Sequence, residues 1–277
     1  MNYNCRCAVV TGANKGIGLE ICRQLASEGI TLEMNKEGLQ AHSDLASIAS
    51  LAQFIDSHFG KLDILVHNAG VLGALVDGDA WRASQQDARV KGSEKMNWGT
   101  IMTQTYDLAA ECLQTNYYGA KRITEALLPL LHLSKSPRIV NVSSSMGQLK
   151  YIPSEWAKGV LNDIENLTEE RIDEVINVFL KDFKEGCLED KGWPEIFAAY
   201  VISKAAMNSG TRILAKKYPS FRINCVCPGY VKTDINYNSG VLTVEEGAEG
   251  PVKLALLPDD GPSGMFFLQK EVSSFVE

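Results

Sequence analysis

Short runs of consecutive apolar residues, rich in Val and Ile, recur along the chain at 7–10, 62–66, 138–142, 223–226 and 265–268. Runs of this length bounded by turn residues predict strands buried on both faces. Between them the apolar positions fall at three- and four-residue spacing, which predicts helices at 16–28, 44–59, 106–131, 199–217 and 245–257. In the second of these Leu45, Ile48, Phe54, Ile55 and Phe59 recur at near-helical spacing, and Gly60 supplies the stop. Strands alternating with helices predict an α/β fold, a parallel sheet covered by helices. No internal repeat or low-complexity linker divides the chain, so residues 1–277 are read as a single domain.

Two stretches break the rhythm. Residues 72–105 have no strong period, and residues 148–198 carry charged helical signals such as LTEERIDEVINVFLKDF between two core elements. Long interruptions of this kind are commonly lids or surface insertions, and both are expected to form a lid.

Composition narrows the classes. With 45% hydrophobic and 22% charged residues in 277, the chain is an ordinary globular protein with a sizeable core. A net charge of -7 and the absence of any Lys/Arg run argue against a nucleic-acid partner, which needs clustered cations. No segment reaches the roughly 18 apolar residues of a membrane span, and the start runs from Arg6 straight into a strand with no signal-peptide pattern. Seven scattered cysteines and four separated histidines lack metal-ligand spacing, so no metal site is expected. Reduced, buried thiols and a cytoplasmic location are the expectation.

Five motifs carry candidate chemistry. Thr11-Gly12-Ala13-Asn14-Lys15-Gly16-Ile17-Gly18 lies between a strand and a helix, where glycines let a backbone approach a pyrophosphate and the helix N-terminus offers free N–H groups. Asn68-Ala69-Gly70 and the serines of PRIVNVSSSMG each follow a strand at its carboxyl end, the edge where open α/β sheets collect ligands. Tyr200 and Lys204 stand at i and i+4 on a helix, so both side chains share a face and the ammonium favours the phenolate. Pro228-Gly229-Tyr230-Val231-Lys232-Thr233-Asp234 is a strand exit followed by a rigid turn. Each alone is ordinary turn or surface chemistry.

In this order, the five resemble the short-chain dehydrogenase/reductase superfamily, from residue 5 to about 268. More narrowly, VTGANKGIG, FGKLDILVHNAG, NYYGAKRITEALLPLL, SPRIVNVSSS, EWAKGVL, LTEERIDEV and LPDDGPSG are similar to the plant menthone, isopiperitenone and salutaridine reductase group, with carbonyl reductases more distant. The resemblance implies a Rossmann-type doubly wound parallel sheet with helices on both faces, and NADP(H) as cofactor with NAD(H) left open. It implies a tetrad in which Asn116 holds a relay water, Ser144 binds the substrate carbonyl, Tyr200 gives the proton, and Lys204 lowers the Tyr200 pKa and holds the ribose. Cofactor contacts would come from Thr11, Gly12, Asn14, Lys15, Gly16, Ile17, Gly18, Asn68, Ala69, Gly70, Tyr200, Lys204, Pro228, Gly229, Val231 and Thr233. The implied reaction is reduction of a ketone on a small apolar, monoterpenoid- or alkaloid-like substrate to a secondary alcohol, by a monomer. Members that reduce a C=C bond carry Glu where this chain has Tyr200, which favours C=O reduction.

The chain departs from the pattern at residues 30–43. A parallel crossover takes about a dozen residues and each strand about five, so two strands and a crossover cannot fit there. One short strand at 30–34 is expected, with the family's third strand absent and cofactor affinity and NADP-versus-NAD choice in question. Met34 stands near the position of the family's 2′-phosphate Arg, and His67 replaces the first Asn of the common N-N-A-G. A second expectation is therefore a weakly active or inactive reductase-like protein lacking part of the adenine-binding half.

Overall fold

A computed structural model describes residues 6–34, 44–83 and 98–277. Strand β1 (Cys7–Val10) leads through a glycine turn into α1 (Gly16–Ser27), β2 (Thr31–Met34) and α2 (Leu45–Phe59). Then come β3 (Ile64–His67), the short β4 (Leu75–Val76) and β5 (Met102–Thr103), and helices α3 (Tyr106–Leu113) and α4 (Ala120–Leu131). After β6 (Arg138–Val142) lie α5 (Glu155–Asn162), α6 (Glu169–Glu185) and α7 (Ala198–Lys217). The chain closes with β7 (Arg222–Cys227), α8 (Val244–Ala255), β8 (Phe266–Leu268) and β9 (Glu271–Ser273).

Seven strands form one sheet in the order β2-β1-β3-β6-β7-β8-β9, parallel throughout except for the antiparallel β8–β9 pair. This is the doubly wound Rossmann-type arrangement. Every residue of β1, β3 and β6 is buried, which explains why these segments read as continuous apolar runs rather than alternating ones. Helices α1 and α8 cover one face through Ile21, Leu25, Val252 and Leu254. Helices α2 and α4 cover the other through Ile48, Ile55, Ile123 and Leu127.

The single helix read at 106–131 is interrupted by a π-helical turn, Gln114–Gly119, between α3 and α4. An extra residue in the ladder leaves the apolar spacing nearly intact, so periodicity does not reveal it. Much of 148–198 is well packed: α6 buries Ile172, Val175, Ile176 and Phe179 in a core shared with α3 and α7. Trp193 is buried there and donates to Asp182 Oδ2 at 2.8 Å, while Trp156 is exposed. The short strands β4, β5 and β9 were too brief to carry a period, whereas β8 falls within the run read at 265–268.

Residues 30–43 supply β2 in parallel register with β1, and among the described residues the sheet ends there. Residues 35–43 and, in the other insertion, 84–97 lie outside the described residues. Cys7, Cys22, Cys112, Cys225 and Cys227 are buried and Cys187 is half-buried. Among the described residues no helix is long and apolar enough to cross a membrane.

Candidate active site

The glycine-rich turn is locked to the end of β3. Thr11 Oγ1 accepts from the backbone N–H of Asn68 at 3.0 Å and of Ala69 at 3.1 Å. In return Asn68 Nδ2 donates to the carbonyls of Thr11 at 3.1 Å and Gly12 at 3.2 Å. Both side chains are therefore tied to the protein's own backbone, which holds the glycine turn against the end of β3. Gly12 (φ 65°) and Gly16 (φ 56°) occupy the left-handed region that favours glycine. A Cβ on Gly18 would stand 2.3 Å from the Gly12 oxygen.

Helix α1 starts at this turn without a side-chain cap and with no acidic residue in its first turn. Its N-terminal N–H groups and positive dipole end remain available to an anion, which fits the pyrophosphate of a dinucleotide. Asn14 and Lys15 are exposed at the rim. Lys15 Nζ pairs with Asp234 at 2.7 Å, linking this turn to the segment after β7. In that segment Pro228 and Gly229 (φ 90°) turn the chain, Val231 is buried, and the Thr233 methyl lies 3.5 Å from where a Gly16 Cβ would stand.

Helix α7 is buried around most of its circumference from Ala198 to Met207. Its Lys204 is 3% exposed and donates to the Val142 carbonyl at 2.8 Å, its one acceptor among the described residues. An ammonium has three donors, so two remain for a ligand such as ribose hydroxyls. Gly70 lies against it: a Cβ there would come within 3.6 Å of Lys204 Nζ and 3.3 Å of Asn116 Oδ1. The π-helical turn aims Asn116 at Val71, whose N–H it accepts and whose carbonyl it meets, both at 2.9 Å. Asn116 Nδ2 also donates to Ser203 Oγ at 3.0 Å. Its side chain is thus occupied by protein partners, and what it visibly does is fix the Gly70–Val71 backbone beside Lys204.

Tyr200 is half-buried, with Lys204 Nζ 5.6 Å from its ring centroid. Burial pushes its phenol above the ordinary value, the Cys227 thiol adds to this, and the Ser144 hydroxyl opposes it. Burial also lowers Lys204 from 10.5 to about 8. Burial thus outweighs the Ser144 hydrogen bond at the phenol, and Lys204 stands beside the ring rather than among the causes of its shift. Ser144 Oγ accepts from the Met146 N–H at 3.1 Å at the head of a 3-10 turn. Met146 and Tyr200 border an aromatic cluster of Trp81, Trp98, Phe197 and Tyr237, with ring centroids 5.0 to 5.9 Å apart. A separate cavity of about 170 Å³ between α4 and α7, lined by Leu128, Met207 and Leu214, contains none of the candidate catalytic side chains.

Residues 39–155 match the family described as short chain dehydrogenase, and residues 188–277 match that described as enoyl-(acyl carrier protein) reductase. A (+)-neomenthol dehydrogenase of Arabidopsis thaliana is 56% identical over 296 residues, covering 98% of each chain. The chain belongs to the short-chain dehydrogenase/reductase family. It is an oxidoreductase, and its similar relatives include reductases of terpenoids and alkaloids. The salutaridine reductase structure from Papaver somniferum superposes with a TM-score of 0.87 at 50% identity, covering 95% of this chain and 99% of that one. Carbonyl reductase [NADPH] 1 of Homo sapiens is 32% identical over 307 residues, 99% of this chain and 100% of its own. The aligned 296 residues exceed the 277 of this oxidoreductase, so the Arabidopsis relative carries residues with no counterpart here.

Ser203 is a site residue that motif reading passed over. It is fully buried, accepts from Asn116 and donates to the Tyr200 carbonyl at 2.8 Å, tying the π-helical turn to α7. Its signal was a hydroxyl one position before Lys204, directly after Val201 and Ile202 and before Ala205 and Ala206. Gln104 is another: its Oε1 accepts from the Ala198 N–H at 2.8 Å and so caps α7 from the β5 side.

Proposed function

We propose that this protein catalyses the NADP(H)-dependent reduction of a ketone on a small apolar, terpenoid- or alkaloid-like substrate to a secondary alcohol, as a cytoplasmic monomer. The observation that carries the reading is the placement of the Tyr200 phenol beside the Ser144 hydroxyl, at the rim of an aromatic cluster and with the buried Lys204 ammonium 5.6 Å from its ring centroid. The names of the relatives, neomenthol dehydrogenase, salutaridine reductase and carbonyl reductase [NADPH], support the substrate class and the cofactor. Helix α6 lies over α3 and α7, with Lys121 paired to Glu169 at 2.9 Å, and this cover supports a monomer.

When bound, the nicotinamide supplies the hydride that adds to the carbonyl carbon. Negative charge then develops on the carbonyl oxygen, where Ser144 donates a hydrogen bond and Tyr200 transfers its phenolic proton. A phenol held above its ordinary pKa arrives at that step protonated. Lys204 offers its two remaining N–H donors to the ribose and faces the phenolate left behind. The aromatic cluster excludes water and gives an apolar ring a surface to lie on. Tyr200 supplies a donor suited to an oxygen, which favours C=O over C=C reduction.

The test is Tyr200→Phe, assayed with NADPH and a panel of cyclic ketones. Reduction should fall at least a hundredfold while cofactor affinity stays within a few-fold, because the phenolic proton matters in the transition state and little in the ground state. Activity within tenfold of wild type removes Tyr200 as the acid. A reductase-like protein of low activity is the second reading, favoured by the sheet ending, among the described residues, at β2.

A further inference from the structure

We propose that Gln148, gripping the segment 274–277, is a positioning residue that sets the place of Ser144 against Tyr200. The inference rests on the reading of Ser144 and Tyr200 given above. Ser144 stands at the head of the 3-10 turn Ser145–Gly147, and a second such turn, Leu149–Tyr151, follows directly. Gln148 joins the two turns and is 2% exposed, too buried for a polar side chain without a reason.

Its Nε2 donates to the Ser274 carbonyl at 3.0 Å and to an oxygen of Glu277. The next two residues continue the attachment, Leu149 N–H to the Phe275 carbonyl and Lys150 N–H to the Val276 carbonyl, each at 2.9 Å. The segment is itself anchored, because the Phe275 ring lies 5.9 Å from Phe266 of β8 and 5.0 Å from the Arg212 guanidinium of α7.

On its opposite side the serine turn is pressed onto α7. A Cβ on Gly147 would stand 2.8 Å from Asn208 Nδ2 and 2.9 Å from the Lys204 backbone carbon, and the Gly147 carbonyl accepts from Asn208 at 3.0 Å. The turn carrying Ser144 is thus clamped between the helix that carries Tyr200 and Lys204 and a strap from far along the chain. Two restraints on opposite sides fix a position where one would leave a hinge. Among the described residues the Gln148 side chain hydrogen-bonds to Ser274 and Glu277 and not to Tyr200 or Lys204, so its influence on the reaction passes through the turn that carries Ser144.

The experiment compares Gln148→Met, which keeps the length and removes the donor, with Ser144→Ala and wild type, using NADPH and a cyclic monoterpenoid ketone. Gln148→Met should lower kcat at least tenfold, since a displacement of about 1 Å at a reacting group costs on the order of a hundredfold. Cofactor Kd should stay within twofold. The high-pH limb of kcat should move upward in both variants, because the Ser144 hydroxyl is what draws the Tyr200 phenol down. The other titratable groups around that phenol, Lys204 on its own helix, Cys112 of α3 and Cys227 of β7, are untouched by the substitution.

If Ser144→Ala loses activity while Gln148→Met stays within twofold of wild-type kcat, the positioning role is wrong and the reading of Ser144 stands. If Gln148→Met loses activity with an unmoved limb and a lowered melting temperature, the residue is merely structural and the proposal is also wrong. If Ser144→Ala is fully active, the reading of Ser144 itself fails. Should Gln148→Met not fold, Phe275→Leu loosens the same strap with Gln148 in place, and the same expectations and refutations apply to it.

Discussion

Lys204 takes an ammonium into the interior with the Val142 carbonyl as its acceptor among the described residues, and this sets its pH behaviour. Its pKa falls from 10.5 to about 8 on folding. Between those values the unfolded chain binds more protons than the folded one, so stability rises with pH across that window. Below pH 8 the fold carries the full cost of the buried charge. Lys204→Met should therefore be more stable than wild type at pH 7, by about 1 to 3 kcal/mol once the Val142 carbonyl loses its donor. That advantage should shrink as pH approaches 10.5. Urea unfolding at pH 7 and pH 10 decides it, and an advantage that widens with pH contradicts the account. The same lysine is legible in the sequence as the i+4 partner of Tyr200. The rise in the Tyr200 pKa was not, because desolvation depends on what the fold lays over the phenol.

At the scale of elements, the glycine turn and the end of β3 act as one unit through the Thr11–Asn68 exchange. Gly18→Ala would drive a methyl to 2.3 Å from the Gly12 oxygen and 2.4 Å from Asn68 Nδ2. The lock must open to admit it, so dinucleotide affinity should weaken at least tenfold in calorimetry. Gly29→Ala is the matched control: its φ of 76° adds strain of about 1 kcal/mol, but the space around it is open and the turn is distant in the fold. Equal cofactor affinity in Gly18→Ala and Gly29→Ala speaks against the lock. Both glycines are visible in the sequence, yet only packing separates one that bears a ligand turn from one that ends a helix.

For the whole molecule the consequential feature is the sheet edge, which among the described residues lies at β2. A doubly wound sheet places the two halves of a dinucleotide on either side of its switch point, so shortening one half affects one end of the ligand. In the reading proposed above, the nicotinamide end would rest on α7, β6 and the segment after β7, all of them among the described residues. We therefore expect NADPH to bind more weakly than in longer relatives, with a Kd above about 1 μM. Grafting a relative's full segment in place of residues 30–43 should tighten NADPH far more than nicotinamide mononucleotide. Calorimetry that shows the graft without effect on NADPH, or submicromolar binding by the native chain, removes the deficit.

The sequence by itself determined the parallel sheet, the strands at 7–10 and 138–142, four of its helices to within a residue or two at each end, and the order of motifs along the carboxyl edge. These follow from local period and from turn chemistry, which neighbouring residues express without help. The tertiary structure alone decided that 114–119 adopts a π-helical turn aiming Asn116 at Val71, and that Ser203 joins it to α7. It also decided that α6 is a core layer, and that Trp81, Trp98, Phe197 and Tyr237 meet from three separate segments. Contacts between residues far apart in the chain leave no period to read, and burial shifts a pKa only once those distant residues have closed around the group.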